Sequence, residues 1–154
     1  MTFYYTNKLT VVFAPEVERF FEDLKASYDY RLETGGILAG TLSNGPIITI
    51  TDVTSPQLQD IRQRYRFKRS DAGHQTLMDQ LWEESGYQKM YLGEWHTHRE
   101  SRPVPSKIDT FGWTSIARRR QNAPWMLFLI LGQTELRLWT IYRGEVKELR
   151  SNAE

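Results

Sequence analysis

The chain has 154 residues, 40% of them hydrophobic and 25% charged, and a formal net charge of +1 at pH 7. This length suffices for a substantial core, and we expect a single domain over residues 1–154. The small net charge argues against a protein that coats nucleic acid, because such proteins carry a large positive excess. The absence of cysteine excludes disulfides, thiolate metal sites and cysteine nucleophiles.

The sequence also bears on where the protein works. It has no apolar run as long as a membrane span. The N-terminal stretch MTFYYTNKLTVVF alternates, and it lacks the charged and uniformly apolar regions of a signal peptide. We therefore expect a soluble cytoplasmic protein that does not bind membranes.

The N-terminal third predicts a hairpin, a helix and a second pair of strands. TFYYT and LTVVF stand on either side of Asn7-Lys8 and read as two strands of a hairpin. From Pro15 onward apolar residues recur at helical spacing, and proline suits the first turn of a helix. GGILAG and IITITDV, separated by the turn signal SNGP, predict two further strands.

The stretch 62–69 contains RYRFKR, which predicts a strand with one solvated face. One face carries Arg64, Arg66 and Lys68, and the other carries Tyr65 and Phe67. Ser70 or Asp71 is a candidate cap for the helix that follows. We expect His74 to be a polar position of that helix, and we assign it no function.

The C-terminal half continues the alternation of strands and helices. KMYLGEWHTH predicts a strand that runs into a loop, and a helix should begin near Ser106 and end within 118–122. WMLFLIL and LRLWTIY predict two more strands, and a short last strand is expected near Val146. This order predicts an α/β fold in which helices flank a mixed central β-sheet.

Two of the three histidines stand one residue apart at the end of a predicted strand. Side chains two apart on a strand point the same way, so His96 and His98 form a natural chelating pair. A catalytic zinc site typically takes three protein ligands, and Asp109 is the candidate for the third. Ser106 and Asp109 also form a capping box. The two roles are compatible, because a capped first turn is a stiff platform for a ligand.

Spacing alone leaves alternatives open. Glu94 lies on the same predicted strand face as the two histidines, so it is a candidate base or ligand as well. A serine hydrolase built from Ser106, His96 and Asp109 is disfavoured, because no G-x-S-x-G elbow is present and the second histidine would be unexplained. A zinc nucleoside deaminase is disfavoured because the chain lacks the Cys-x-x-Cys that it needs.

The complete motif is His-x-His, seven residues, Ser, two residues, Asp, and it resembles the signature of the JAMM metalloproteases, also called JAB or MPN-plus. The upstream part of that signature is a glutamate followed by glycines and an apolar strand. ETGGILAG matches it, with Glu33 in the glutamate position. The resemblance covers nearly the whole chain and implies the JAB/MPN fold, which is cytidine-deaminase-like.

The resemblance implies a role for each motif residue. His96, His98 and Asp109 become the ligands of one Zn²⁺ per chain, a preference that two nitrogens and one oxygen support. Glu33 becomes the general base and proton shuttle for the zinc-bound water. Ser106 hydrogen-bonds the developing oxyanion or the water. Arg99 departs from the family, because many relatives carry proline at this position.

Enzymes that resemble this chain hydrolyse the amide after the C-terminal tail of ubiquitin or a ubiquitin-like protein. The compact length and GEWHTH are most similar to the JAB deconjugases of bacterial CBASS anti-phage operons. That similarity implies a cGAS-like nucleotidyltransferase as the conjugated substrate. The alternative is a JAB peptidase that trims ubiquitin-like sulfur carriers, and a RadC-like protein ranks third because its histidine motif differs. An extended tail would add as a strand at a sheet edge, flanked by residues 54–69.

A different class of function rests on the basic stretch 62–69. Interleaved arginine and tyrosine can grip phosphates and stack on bases, which would make the chain a nucleic-acid-binding module. A solvated edge strand, or a contact for an acidic protein, is the favoured interpretation over nucleic acid. A scaffold without catalysis is disfavoured because all five motif positions are intact.

Overall fold

The computed structural model describes residues 1–27, 29–57, 60–63, 66–69, 71–120 and 125–152. Three helices lie within these ranges: α1 (Pro15–Ser27), α2 (Asp71–Glu84) and α3 (Lys107–Arg119). The strands of the same ranges are β1 (Thr2–Tyr5), β2 (Leu9–Phe13), β3 (Gly35–Ser43), β4 (Ile47–Val53), β5 (Ile61–Gln63), β6 (Arg66–Lys68), β7 (Met90–Thr97), β8 (Leu127–Leu131), β9 (Leu136–Tyr142), β10 (Glu145–Glu148) and β11 (Arg150–Ser151).

Nine strands form one mixed sheet in the order β10-β9-β8-β7-β3-β4-β2-β1-β11. The pairs β2–β4 and β7–β8 are parallel, and the other neighbours are antiparallel. β10 and β11 end this order on opposite sides, although only Leu149 separates them in the chain. The sheet therefore curves until its two edges approach each other. The predicted α/β fold with a mixed sheet is confirmed.

Strand β8 shows how the helices are distributed over the sheet. All five of its residues are buried. Leu127, Leu129 and Leu131 belong to the core that includes Val17 and Phe21 of α1. Phe128 and Ile130 belong instead to the core that includes Trp113 of α3. Alternate side chains point to opposite faces, so α1 and α3 cover opposite faces of the sheet.

The single strand predicted over 62–69 is wrong. β5 and β6 are two short strands that pair antiparallel in a sheet of their own, with Arg62 opposite Phe67 and Gln63 opposite Arg66. A hairpin satisfies its backbone groups within itself, which a lone strand outside the main sheet cannot do. The predicted faces of Arg64 and Tyr65, and the predicted cap Ser70, lie outside the described residues.

His74 was expected only to be a polar position of its helix, but the structure buries it completely. Its Nδ1 lies 2.6 Å from Thr54 Oγ1 and its Nε2 lies 3.0 Å from both carboxylate oxygens of Asp60. These contacts join α2 to the segment between β4 and β5. Within the described ranges, no helix is long and apolar enough to cross a membrane.

Candidate metal centre

Three segments of the fold meet at one end of strands β3 and β7. His96 lies in β7 and His98 follows it directly, whereas Glu33 precedes β3. The two strands are antiparallel neighbours, with Gly35 paired to His96. Asp109 comes from the first turn of α3. The structure therefore brings these predicted site residues to one place from three separate elements.

Two imidazoles and one carboxylate converge within hydrogen-bonding distance. His96 Nε2 and His98 Nε2 lie 3.0 Å apart. Asp109 Oδ1 lies 3.3 Å from His96 Nε2, and Asp109 Oδ2 lies 3.1 Å from His98 Nε2. Ligand atoms arranged tetrahedrally around zinc at their usual bond lengths are about 3.3 Å apart. The donor set of these three residues therefore fits a tetrahedral metal ion.

Glu33 is a second carboxylate at the same place. It is 7% exposed, and its Oε1 lies 3.9 Å from His98 Nε2. Glu33, His96 and His98 could together hold a metal ion, with ligand atoms within 4.8 Å of one another. The carboxylate of Asp109 lies 3.3 Å from His96 Nε2 and 3.1 Å from His98 Nε2, whereas that of Glu33 lies 3.9 Å from His98 Nε2. The geometry thus favours Asp109 as the third ligand and leaves Glu33 beside it.

The electrostatics of the two carboxylates differ. Burial raises the pKa of Glu33, although the charges of His96 and His98 act against this rise. Burial also acts to raise the pKa of Asp109, but hydrogen bonds with His96 and His98 outweigh it and hold that pKa well below its usual value. Glu33 is therefore the better proton acceptor and Asp109 the more persistent anion.

His98 is oriented by a residue that the sequence did not nominate. Its Nδ1 lies 3.4 Å from Glu100 Oε2, and the same oxygen accepts the backbone N–H of Val104 at 3.0 Å. Burial acts to lower the pKa of His98, but the hydrogen bond and charge of Asp109 outweigh it, so the pKa is raised. A proton on Nδ1 directed at a carboxylate leaves Nε2 for a metal, as is usual for metal-binding histidines.

The predicted capping box is confirmed. Ser106 is the N-cap of α3 and accepts the backbone N–H of Asp109 on its Oγ at 3.1 Å. The Ser106 backbone N–H donates in return to Asp109 Oδ2 at 2.8 Å. In this box the serine oxygen is an acceptor, so its hydroxyl proton is left for another partner.

The loop between His98 and Ser106 is fixed to β9 and to the turn between β8 and β9. Gln133 donates its backbone N–H to the carbonyl of Glu100 and its side-chain amide to the carbonyl of Arg99. Arg137 Nη1 donates to the carbonyl of Pro103 at 2.7 Å, and its other nitrogens bond Glu148. These bonds hold the helix start that carries Asp109 near the two histidines.

Glu94, the competing candidate, lines the same cleft as Glu33 and His96. Its Oε1 accepts from Arg69 Nε at 2.7 Å and from the Tyr91 hydroxyl at 3.1 Å. Burial raises the pKa of Tyr91, and the charge of Glu94 raises it further, so the phenol remains a neutral donor. Because Arg69 neutralises its charge, Glu94 is a weaker candidate for the base than Glu33.

Gly35, the first glycine of ETGGILAG, is explained by close approaches beside Glu33. A Cβ on Gly35 would collide with the carbonyl oxygen of Trp95 and with the ring of Phe67. Phe67 belongs to β6, and the carbonyl of Gln63 in β5 accepts the backbone N–H of Glu33 at 2.8 Å. The hairpin β5–β6 therefore lies against the backbone that carries Glu33.

The centre lies between two cavities that open on the surface. The first, of about 210 Å³, includes Phe67, Glu94 and Trp113 in its walls. The second, of about 540 Å³, includes Arg99, Val104 and Gln133. Glu33 and Ser106 line both cavities. The two cavities therefore adjoin at these two residues.

Paired histidines, a carboxylate from the next helix and a buried glutamate are the groups that a metal-dependent hydrolase uses at its site. The family of prokaryotic homologs of the JAB domain matches residues 16–142. The chain belongs to this prokaryotic JAB-domain family.

Several curated proteins are similar to the chain. One from Pseudomonas aeruginosa is named CD-NTase/cGAS isopeptidase and is 35% identical over 78% of this chain and 75% of its own length. One from Escherichia coli has the same name and is 30% identical over 91% of this chain and 87% of its own length. Another of that name, from Vibrio cholerae, is 38% identical over 67% of this chain, and the chain spans only 64% of that relative's length. These names and the family support a hydrolytic metallopeptidase.

Among solved structures, protein DSY2949 from Desulfitobacterium hafniense resembles the chain with a TM-score of 0.61. The similarity covers 90% of this chain and 88% of that protein at 18% sequence identity. A likeness at this level of identity supports the fold alone.

Proposed function

We propose that this chain is a zinc-dependent isopeptidase that cleaves the amide after the C-terminal residue of a conjugated protein. The observation that carries this proposal is the convergence of His96, His98 and Asp109, with the carboxylate of Glu33 beside them. Two nitrogens and one oxygen in a four-coordinate site favour zinc. A bound metal ion would polarise the scissile carbonyl and make a water nucleophilic at neutral pH.

The chain's own residues supply the proton transfers. Glu33 takes the proton of the attacking water, and the raised pKa that burial gives it suits this role. It then delivers that proton to the amide nitrogen, which leaves as an amine when the C–N bond breaks. Ser106 donates a hydrogen bond from its hydroxyl to the carbonyl oxygen as negative charge develops there, and it keeps its proton.

The hairpin β5–β6 is the proposed flank for the substrate's tail. It contacts the backbone of Glu33 and contributes Phe67 to the wall of the first cavity. An extended tail that adds as a strand is held by main-chain hydrogen bonds, which place a peptide without selecting its side chains. The exposed apolar side chains of Val104, Ile108 and Phe111 offer the substrate a further contact surface.

The proposed substrate is a cGAS-like nucleotidyltransferase, which the enzyme deconjugates or primes in CBASS anti-phage defence. The names of the relatives from P. aeruginosa, E. coli and V. cholerae support this choice. Trimming of a ubiquitin-like sulfur carrier would use the same chemistry and differs only in the tail that the cleft accepts.

The test uses two reporter proteins. One is joined through the C-terminal tail of a cGAS-like nucleotidyltransferase from the same genome, and the other through the tail of a ubiquitin-like sulfur carrier. Each is incubated with the zinc-loaded enzyme or with its Glu33→Gln variant, and the masses of the products are measured by intact-protein mass spectrometry. Cleavage of the first reporter at the junction by the wild type alone is the expected result. Cleavage of only the second reporter would make the sulfur carrier the substrate instead of the nucleotidyltransferase. Cleavage of neither reporter by the zinc-loaded protein would contradict the proposal.

A further inference from the structure

A third cavity, which we call the arginine pocket, adjoins the candidate active-site cleft. It encloses about 400 Å³ and is lined by Arg69, Gln75, Tyr91, Ile116, Arg119 and Arg120. Ile116 also lines the first cavity of the cleft. The ion pair between Arg69 and Glu94 separates the two spaces, because Arg69 faces the arginine pocket and Glu94 faces the cleft.

The arginine pocket carries an uncompensated positive charge. Arg69 is paired with Glu94. Within the described residues, no acidic side chain forms an ion pair with Arg119 or Arg120, and both are exposed. Two guanidinium groups at the end of α3 are therefore available to a negatively charged ligand, although the whole chain has a net charge of only +1.

Arg120 is held in place for such a ligand. Its guanidinium carbon lies 4.3 Å from the centre of the Tyr91 ring. Stacking on an aromatic ring uses the face of the guanidinium and leaves its in-plane N–H donors for hydrogen bonds. Those donors match a carboxylate, which can accept two parallel hydrogen bonds.

Two elements run from the metal centre to the arginine pocket and fix its distance. Along α3, Ile116 lies about 10 Å and Arg120 about 16 Å beyond Asp109, at the usual rise per helical residue. Along β7, Tyr91 lies about 16 Å from His96 at the usual rise per strand residue. An extended peptide covers about 10–16 Å in three to five residues.

From this geometry we propose that the arginine pocket binds an acidic side chain of the protein substrate, three to five residues from the scissile amide. The pocket would thereby select among tails that the main-chain contacts of the cleft do not distinguish. This inference rests on the proposed function, because it takes the substrate to be a polypeptide that crosses the metal centre. The alternative ligand is nucleic acid, whose phosphates would meet the same arginines.

The first test measures binding without cleavage. Fluorescein-labelled peptides of five Glu-Gly or five Gln-Gly repeats are titrated with the zinc-loaded protein, and fluorescence anisotropy reports the affinity. The variant Arg119→Gln/Arg120→Gln is compared with Arg19→Gln/Arg143→Gln, which removes the same charge from exposed positions elsewhere. A ten-nucleotide oligothymidylate is the third probe.

We expect the acidic peptide to bind roughly three- to tenfold more tightly than the neutral one, as two exposed ion pairs allow. This advantage should disappear in Arg119→Gln/Arg120→Gln and at high salt, and it should persist in the control variant. Equal affinity for both peptides, or an equal loss in the control, would overturn the proposal. Tighter binding of the oligothymidylate through the same two arginines would mean that the arginine pocket binds nucleic acid and not an acidic peptide.

The second test locates the acidic residue. A cleavable reporter tail is made with one glutamate moved along eight positions on either side of the scissile bond, and each version is paired with a glutamine version. KM should be lowest when the glutamate lies three to five residues from the scissile bond, and kcat should be unchanged. No positional effect would contradict the inference. Failure of every reporter to be cleaved would count against the proposed function, while the binding test would still decide the arginine pocket.

Discussion

His74 and Asp60 form a fully buried pair in which His74 Nε2 lies 3.0 Å from both carboxylate oxygens of Asp60. On the other side of the ring, Nδ1 lies 2.6 Å from the hydroxyl oxygen of Thr54, which itself accepts the backbone N–H of Ile37. This series of contacts joins α2, the entry to β5 and strand β3. From outside the candidate site, these contacts stabilise the elements that surround Glu33.

Replacing His74 by leucine should lower the free energy of unfolding by about 2–5 kcal/mol, because Asp60 would remain buried after losing this partner. Urea denaturation of the zinc-free protein measures the change. The matched control is Gln75→Leu at the exposed neighbouring position of α2, which should change stability by about 0.5 kcal/mol or less. Equal stability of the two variants would mean that the buried pair contributes nothing.

Glu33→Gln should keep the fold and the bound metal and lower kcat by at least about 100-fold, because an amide cannot take a proton from water. Glu94→Gln should retain most of the activity, since its carboxylate is engaged by Arg69 and Tyr91. Reporter cleavage measures kcat, and metal analysis of each variant checks the zinc content. The opposite pattern, in which Glu94→Gln is inactive and Glu33→Gln is active, would assign the base to Glu94.

Zinc should stabilise the folded chain, because its ligands are brought together only by folding. At a free zinc concentration 100 times the Kd, the added stability is about 2.7 kcal/mol. For a chain of this size that corresponds to a rise in Tm of roughly 5–10 °C. Asp109→Asn should lose most of this rise, whereas Asp79→Asn on the exposed face of α2 should keep it. An equal rise in both variants would exclude Asp109 as a ligand.

Ser106→Ala separates the capping role of this serine from its catalytic role. Loss of the cap should cost about 1 kcal/mol of stability. Loss of a hydroxyl donor to the developing oxyanion should lower kcat by about 100- to 1,000-fold. Ser106→Thr keeps both functions and should restore both measurements. Should Ser106→Ala lose stability alone with kcat intact, the hydroxyl would be only a cap.

The convergence of His96, His98 and Asp109 could be predicted from the sequence because their spacing is local. His96 and His98 share a strand face by the alternation of side chains, and the capping box places Asp109 three residues after Ser106. The position of Glu33 depends on the pairing of β3 with β7, which spacing does not reveal. Only the resemblance to the JAMM signature nominated it over Glu94, and the ion pair of Glu94 with Arg69 supports that choice.

The elements that the sequence did not predict depend on contacts between distant residues. Strand β11 forms because Phe3 of β1 provides a partner for Ser151. The hairpin β5–β6 replaces one strand because Arg62 pairs with Phe67. His74 is buried because Asp60 and Thr54 satisfy both of its ring nitrogens, and a single histidine in a helical pattern gives no sign of such partners.

The assignment of the metal ligands is tested most directly by the crystal structure of the zinc-loaded protein, with anomalous scattering measured at the zinc edge. One zinc peak is expected between His96 Nε2, His98 Nε2 and a carboxylate oxygen of Asp109, at about 2.0–2.2 Å from each. The carboxylate of Glu33 should lie outside the coordination sphere. Zinc bound by Glu33 or Glu94 in place of Asp109, or bound away from the two histidines, would contradict the account.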